Sequence, residues 1–223
     1  MGADCCRSGN RLFCLNISFI AVFANNFPSR SNVVKVDLSK YDNSWYEPGK
    51  NAIIRATWFI LNAVVIKNPI VAHSSFKVWL LRLFGAKIGK GAVIKPSVNV
   101  KYPWNLEIGD STWIGEGVWL DSIEKIRIGS NVCISQAAYL CTGNHDWSDC
   151  SFGLVIKPIR IEEGAWIGAR SNVMPGVVVA NHSIISAGST ITKSTEPYGI
   201  YVGNPAIKVK NRFLKKSSAR RPS

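Results

Sequence analysis

The sequence predicts a mainly β chain: a three-sided parallel coil of short strands, preceded by an arm and one or two helices. Three observations carry this. From Ile88 onward an aliphatic residue recurs every sixth position, in units beginning at Ile88, Ile94, Ile108, Ile114, Ile128, Ile134, Ile161, Ile167, Val173, Val179, Ile185 and Ile191. Four places after each stands a small or β-branched residue, among them Ala92, Thr112, Val132, Ala138, Ala165, Ser171, Ser183 and Ser189. Neither regular element has that period. A helix places residues six apart on nearly opposite faces, and a strand alternates every two. A period of six fits a triangular coil in which each hexad forms one side. The aliphatic residue fills the axis, and the small one lets the chain turn at the corner.

The elements follow in order. The chain has 223 residues, enough for one buried domain with an extension. Residues 1–32 read as a variable N-terminal extension. Arg7 and Arg11 precede the apolar run "LFCLNISFIAVFA", which has the outline of a secretory signal and is too short to span a bilayer as a helix. Residues 33–87 form an arm and a helical segment. The stretch "VDLSKYDNSWYEPGK" is polar, turn-rich and aromatic. In "NAIIRATWFILNAVVI" Asn51 is placed to cap a helix that Pro69 ends. "SFKVWLLRLFG" predicts a second helix with Gly85 just past its end. Arg55 and the shortness of the first run favour two buried helices over a membrane span. Residues 88–206 are the coil, and residues 207–223 a basic tail.

Charge and cysteines narrow the class. Formal net charge is +13, and after Glu196 there are seven cations and no acid. Such a tail attracts polyanions or is simply solvated. The six cysteines, at 5, 6, 14, 133, 141 and 150, show no CxxC pair and no metal spacing. They read as reduced thiols of an intracellular protein.

The count of six fails between Cys141 and Arg160, around "CTGNHDWSD". A coil packed with aliphatic side chains leaves chemistry to its loops. His73 falls between the two helices and His182 at a hexad corner, both positions where an imidazole is ordinarily structural or solvated. His145 stands in the break.

With "DLSKYDNSWY", "LRLFGAKIGKGAVIKPSVNVKYPWNLEIGD", "CISQAAYLCTGNHDWSD" and "YVGNPAIKVK", the chain resembles the hexapeptide-repeat acyltransferases, in particular those of colanic acid biosynthesis. The hexads cover residues 88–206, and the wider match runs from about 36 to 213. The resemblance implies a left-handed β-helix, against the usual crossover hand. It implies a cytoplasmic O-acetyltransferase taking acetyl-CoA as donor and a sugar of an exopolysaccharide as acceptor, whether free, nucleotide-linked or lipid-linked. It makes His145 the general base, a task suited to a side chain that ordinarily titrates near about 6.5. Asp42 is the matching candidate for the carboxylate behind it, and Asp121 is another. Asp121, Asn144, Asp146 and Trp147 are expected on the acceptor side. Coenzyme A is expected along Trp166, Gly168, Ala169, Ala187, Gly188, Thr192 and Lys193, with Lys208 and Lys210 on its phosphates. The resemblance also implies a homotrimer with sites between subunits, no metal and no nucleic-acid partner; peripheral membrane contact stays open. Two other readings share the coil. A γ-type carbonic anhydrase needs three metal-binding histidines, which His73 and His182 are badly placed to supply. A non-catalytic scaffold or polyanion-binding protein has no need of "TGNHDW".

Overall fold

A computed structural model describes residues 33–215. The N-terminal extension and the end of the basic tail lie outside the described residues. The coil is a parallel β-solenoid with three flat faces. The first face carries the strands Lys87–Ile88, Leu106–Ile108, Ile126–Ile128, Ile159–Ile161 and Val178–Val179. The second carries Val93–Ile94, Trp113–Ile114, Cys133–Ile134, Trp166–Ile167 and Ile184–Ile185, and ends in the antiparallel pair Gly199–Gly203 and Ala206–Asn211. The third carries Asn99–Val100, Trp119–Asp121, Tyr139–Cys141, Asn172–Val173 and Thr190–Ile191.

The coil strands before Gly199 are two or three residues long, and each turns one or two aliphatic side chains into the axis. Ile94, Ile114, Ile134, Ile167 and Ile185 stack in register up the second face and are fully buried. Removing each such side chain from water is worth about 1.5–3 kcal/mol. Val100, Leu120 and Leu140 complete the third face of the first three turns. Their hexads escape the sequence count because two extra residues per turn follow them, so the step from Ile88 to Ile108 is 20 residues against 18 from Ile161 to Val179.

The corners are where the small residues act. Thr112, Ser171 and Ser183 are buried there, and their hydroxyls donate to the carbonyls of Gly129, Ser186 and Glu196. A buried hydroxyl needs such a partner; here it also ties one turn to another part of the coil. One residue per corner takes the left-handed conformation: Gly91, Ser111, Asn131, Gly164 and His182 between the first and second faces, and Ser97, Gly117, Ala137, Arg170 and Gly188 between the second and third.

Two helices close the end of the coil. α1 (Ala52–Leu61) is capped by Asn51, whose Oδ1 accepts from the Ile54 N–H at 3.0 Å, and continues as a π-helical turn over Asn62–Ile66. α2 (Ser74–Leu83) ends at Gly85, which takes φ +97°. The first coil turn has no strand beyond it, so its backbone groups need other partners. The helices supply them: Trp58 Nε1 donates to Val100 O, the Val100 N–H to Asn62 Oδ1, Lys77 Nζ to Lys95 O, and Arg82 to Ile88 O. Lys77 is 0% exposed, also donates to Ile66 O, and burial holds its amine below the ordinary lysine range. The expectation of two buried helices is corrected. Only their inner stripes are buried, and Ile53, Phe59, Ile60, Val64, Phe76, Trp79 and Leu83 are exposed. Among the described residues no helix is long and apolar enough to cross a membrane.

Candidate active site

The break in the repeat is a hairpin. After Tyr139–Cys141 the chain leaves the third face, and Thr142, fully buried, anchors the exit by donating to Asp121 O at 2.6 Å and accepting from the Glu124 N–H at 3.0 Å. Strands Gly143–His145 and Leu154–Ile156 then pair antiparallel, with His145 opposite Leu154. Two side-chain turns shape the tip. Asp146 accepts from the Ser148 N–H at 2.9 Å and Asp149 from the Ser151 N–H at 3.0 Å. The Ser148 and Ser151 hydroxyls, and after them these N–H groups, donate to the two exposed carboxyls and hold both below the usual carboxylate range. The arm reaches the tip through the Asp37 N–H, which donates to Cys150 O at 2.8 Å.

His145 is half-buried and held on three sides. Its Nδ1 lies 2.9 Å from Phe152 O. A carbonyl only accepts, so Nδ1 carries the ring proton and the neutral imidazole keeps its lone pair on Nε2. The ring stacks on Phe152, with centroids 4.6 Å apart and planes at 13°, and meets the Tyr41 ring of the arm at 5.7 Å. Phe152 lies in the turn before Leu154–Ile156 and adopts a left-handed φ of +56°.

Asp42, the carboxylate expected behind His145, is bonded locally in this chain. Its carboxylate accepts from the Ser44 N–H at 2.8 Å, a bond that holds it below the usual carboxylate range, and it has no hydrogen bond to His145. A two-residue side-chain turn on the exposed arm satisfies it locally. The residue beside it, Tyr41, is the one that touches the imidazole. Asn144 Oδ1 accepts from the His145 N–H at 2.9 Å, and Asp146 is committed to its turn. Trp147 projects from the tip, 82% exposed. Asp121 accepts from Tyr139 Oη at 3.1 Å, and Trp119 packs on Tyr139 at 4.7 Å. Burial, then the neighbouring Cys141 and Asp121, pushes the Tyr139 phenol well up. Phe152, Tyr41 and Tyr139 escaped the sequence reading. The only signal was aromatic density around the break, which says nothing about a backbone carbonyl.

The expected cofactor residues fall into three groups. Trp166, Gly168, Ala169 and Ala187 line one groove with Ser135 and Ser186, about 410 Å³, at the edge between the second and third faces. Trp166 Nε1 donates to Ser135 Oγ at 2.9 Å. Gly168 has a packing reason of its own, since a Cβ there would collide with the Ala187 amide nitrogen. Gly188 is a left-handed corner with open space around it. Thr192 and Lys193 follow the last strand of the third face, one edge further on. Lys208 is paired with Glu196 at 2.6 Å, whereas Lys210, opposite Ile200, has no ion pair among the described residues. The hairpin itself leaves from the edge between the third and first faces. In one chain, therefore, His145 and the small-residue groove sit on different edges.

Comparison with known proteins settles the family. Residues 158–193 match the family model "Bacterial transferase hexapeptide (six repeats)". The chain is 40% identical over 165 residues to WcaF of Escherichia coli (strain K12), provisionally described as a colanic acid biosynthesis acetyltransferase, covering 74% of this chain and 90% of that protein. It belongs to the hexapeptide-repeat acetyltransferases. Solved structures at lower identity share the fold. A hexapeptide-repeat acetyltransferase of Vibrio cholerae O1 biovar eltor, complexed with acetyl coenzyme A, superposes with TM-score 0.65 at 21% identity over 71% of this chain and 87% of that one. A maltose O-acetyltransferase from Clostridium difficile 630 gives 0.61 at 22% identity, over 74% and 90%. In this acetyltransferase the other two histidines have places outside the break. His73 is exposed just before α2, and His182 occupies a left-handed corner against Tyr198, with rings 4.9 Å apart.

Proposed function

We propose that this acetyltransferase transfers the acetyl group of acetyl-CoA to a sugar hydroxyl of an exopolysaccharide repeat, in the cytoplasm, with His145 as general base. The observation that carries the reading is the bond from His145 Nδ1 to Phe152 O, which leaves Nε2 as the basic nitrogen. Acetyl-CoA supplies an acetyl group activated as a thioester. The groove along Trp166, Gly168, Ala169 and Ala187 fits its narrow pantetheine arm, because small side chains leave backbone amides approachable. Lys210 is the freer of the two lysines for a phosphate, with Lys208 held by Glu196. Nε2 takes the proton of the acceptor hydroxyl as its oxygen attacks the thioester carbonyl, and the imidazolium returns it to the leaving sulfur. The Phe152 carbonyl and the flanking rings of Phe152 and Tyr41 keep the imidazole aimed throughout. Asp121, Asn144 and Trp147 are assigned to the sugar side in this reading.

Because His145 and the groove sit on different edges of one chain, the working site is assembled between chains of a homotrimer. One subunit's hairpin lies against its neighbour's groove. The names of relatives support the substrate class: WcaF is tied to colanic acid and the Clostridium difficile protein to maltose. The test is incubation of the full chain with acetyl-CoA and a panel of free, nucleotide-linked and lipid-linked glycans, scored by thiol release and the mass of an added acetyl group. An acetylated glycan supports the proposal. Thiol release only with amine acceptors contradicts it.

A further inference from the structure

The helical cap has an outer face that the solenoid leaves bare. On α1 the residues that pack on the coil are Trp58, Asn62 and Ile66, and on α2 they are Lys77, Val78 and Leu81. The opposite stripes are also apolar. Ile53, Ile60 and Val64 lie along α1 and its π-helical turn, with Ile53 78% exposed. Phe76, Trp79 and Leu83 lie along α2, with the first two rings stacked at 5.8 Å and Trp79 56% exposed. A water-facing helix normally carries polar residues there, and several large apolar side chains exposed together mark an interaction site. Both helices bond to the first coil turn, and the stripes left exposed are those that do not pack on it.

The charge around it narrows the partner. Between Glu47 and Glu107 the sequence has nine lysines and arginines and no acid. Lys50, Lys67, Lys90 and Lys95 of that run are exposed at this end of the coil. We propose that the outer face of α1 and α2 docks on an anionic bilayer surface. The apolar stripes enter the headgroup–acyl boundary and the surrounding cations meet acidic headgroups. An amphipathic pair with Trp and Phe on its apolar side and the exposed Lys50, Lys67 and Lys95 around it suits the interfacial plane, and each cation near such a surface contributes about fivefold in partitioning. Among the described residues no helix is long and apolar enough to span, so the cap would lie in the interface plane.

The test is flotation of the full chain with vesicles of phosphatidylcholine alone or mixed with phosphatidylglycerol, at low and high salt. The expected result is flotation with the mixed vesicles, weakened by salt and by removal of the acidic lipid. The double variant Ile60→Asp, Trp79→Asp should lose binding by about tenfold or more with an unchanged thermal midpoint. Equal flotation of the variant would place binding in the basic tail or the N-terminal extension and overturn the proposal. So would a cap-dependent association of chains in lipid-free solution, which would make a second copy the occupant. Should the double variant fold poorly, lipids with brominated acyl chains serve instead. They should quench the tryptophan emission of the parent chain and quench less with Trp79→Phe, and undiminished quenching in that variant contradicts the proposal.

Discussion

An imidazole bonded through Nδ1 to a backbone carbonyl is fixed in one tautomer without any carboxylate behind it. That arrangement at His145 makes two substitutions informative. His145→Ala is expected to keep the fold and lower turnover by about 10²–10⁴-fold, measured as thiol release from acetyl-CoA with a working acceptor. Asp42→Asn is expected to leave turnover essentially unchanged, because its carboxylate serves Ser44. A large loss there would restore the carboxylate role that sequence resemblance assigned to it. Phe152→Ala keeps the carbonyl and removes the stacking ring, so it should lower turnover less than His145→Ala does. His145 was legible because it is the one histidine in the only long break of the repeat. Its orienting partner was not, since a main-chain oxygen leaves no mark in a side-chain pattern.

At the scale of elements, the solenoid was readable wherever side-chain volume sets the fold. Every aliphatic residue counted at period six is buried, from Ile88 to Ile191. The helix starts and stops were readable from Asn51 and Gly85, which act through local backbone chemistry. Two features were not. Leu120 and Leu140 fall outside an unbroken count, and the exposed side of the helical cap reads as core by composition alone. Leu140→Ala should cost about 2–5 kcal/mol in denaturant unfolding, as any counted anchor would. Glycines discriminate further. Gly168→Ala should destabilise clearly, because its Cβ meets the Ala187 amide of the next turn, whereas Gly188→Ala, in open space at φ +72°, should cost only about 1–2 kcal/mol. Similar losses at both positions would mean that the turns can spread apart at Gly168.

At the scale of the molecule, one chain carries His145 and its small-residue groove on different edges of a prism. Edges of two chains meet when flat-sided prisms pack in a closed ring, and a ring also removes the exposed faces that would permit open assembly. Light scattering is expected to give three times the 24.5 kDa chain mass. The central claim is that His145 of one subunit acts on a thioester held in the groove of another. The most direct measurement mixes two inactive partners, His145→Ala and the groove-blocking Ala187→Trp, refolds or exchanges them together, and follows acetyl transfer. Equal random mixing should restore about a quarter of the wild-type rate, the share of interfaces that pair an intact hairpin with an intact groove. No recovery from verified mixed trimers, or full activity of the His145→Ala chain by itself, would contradict the account.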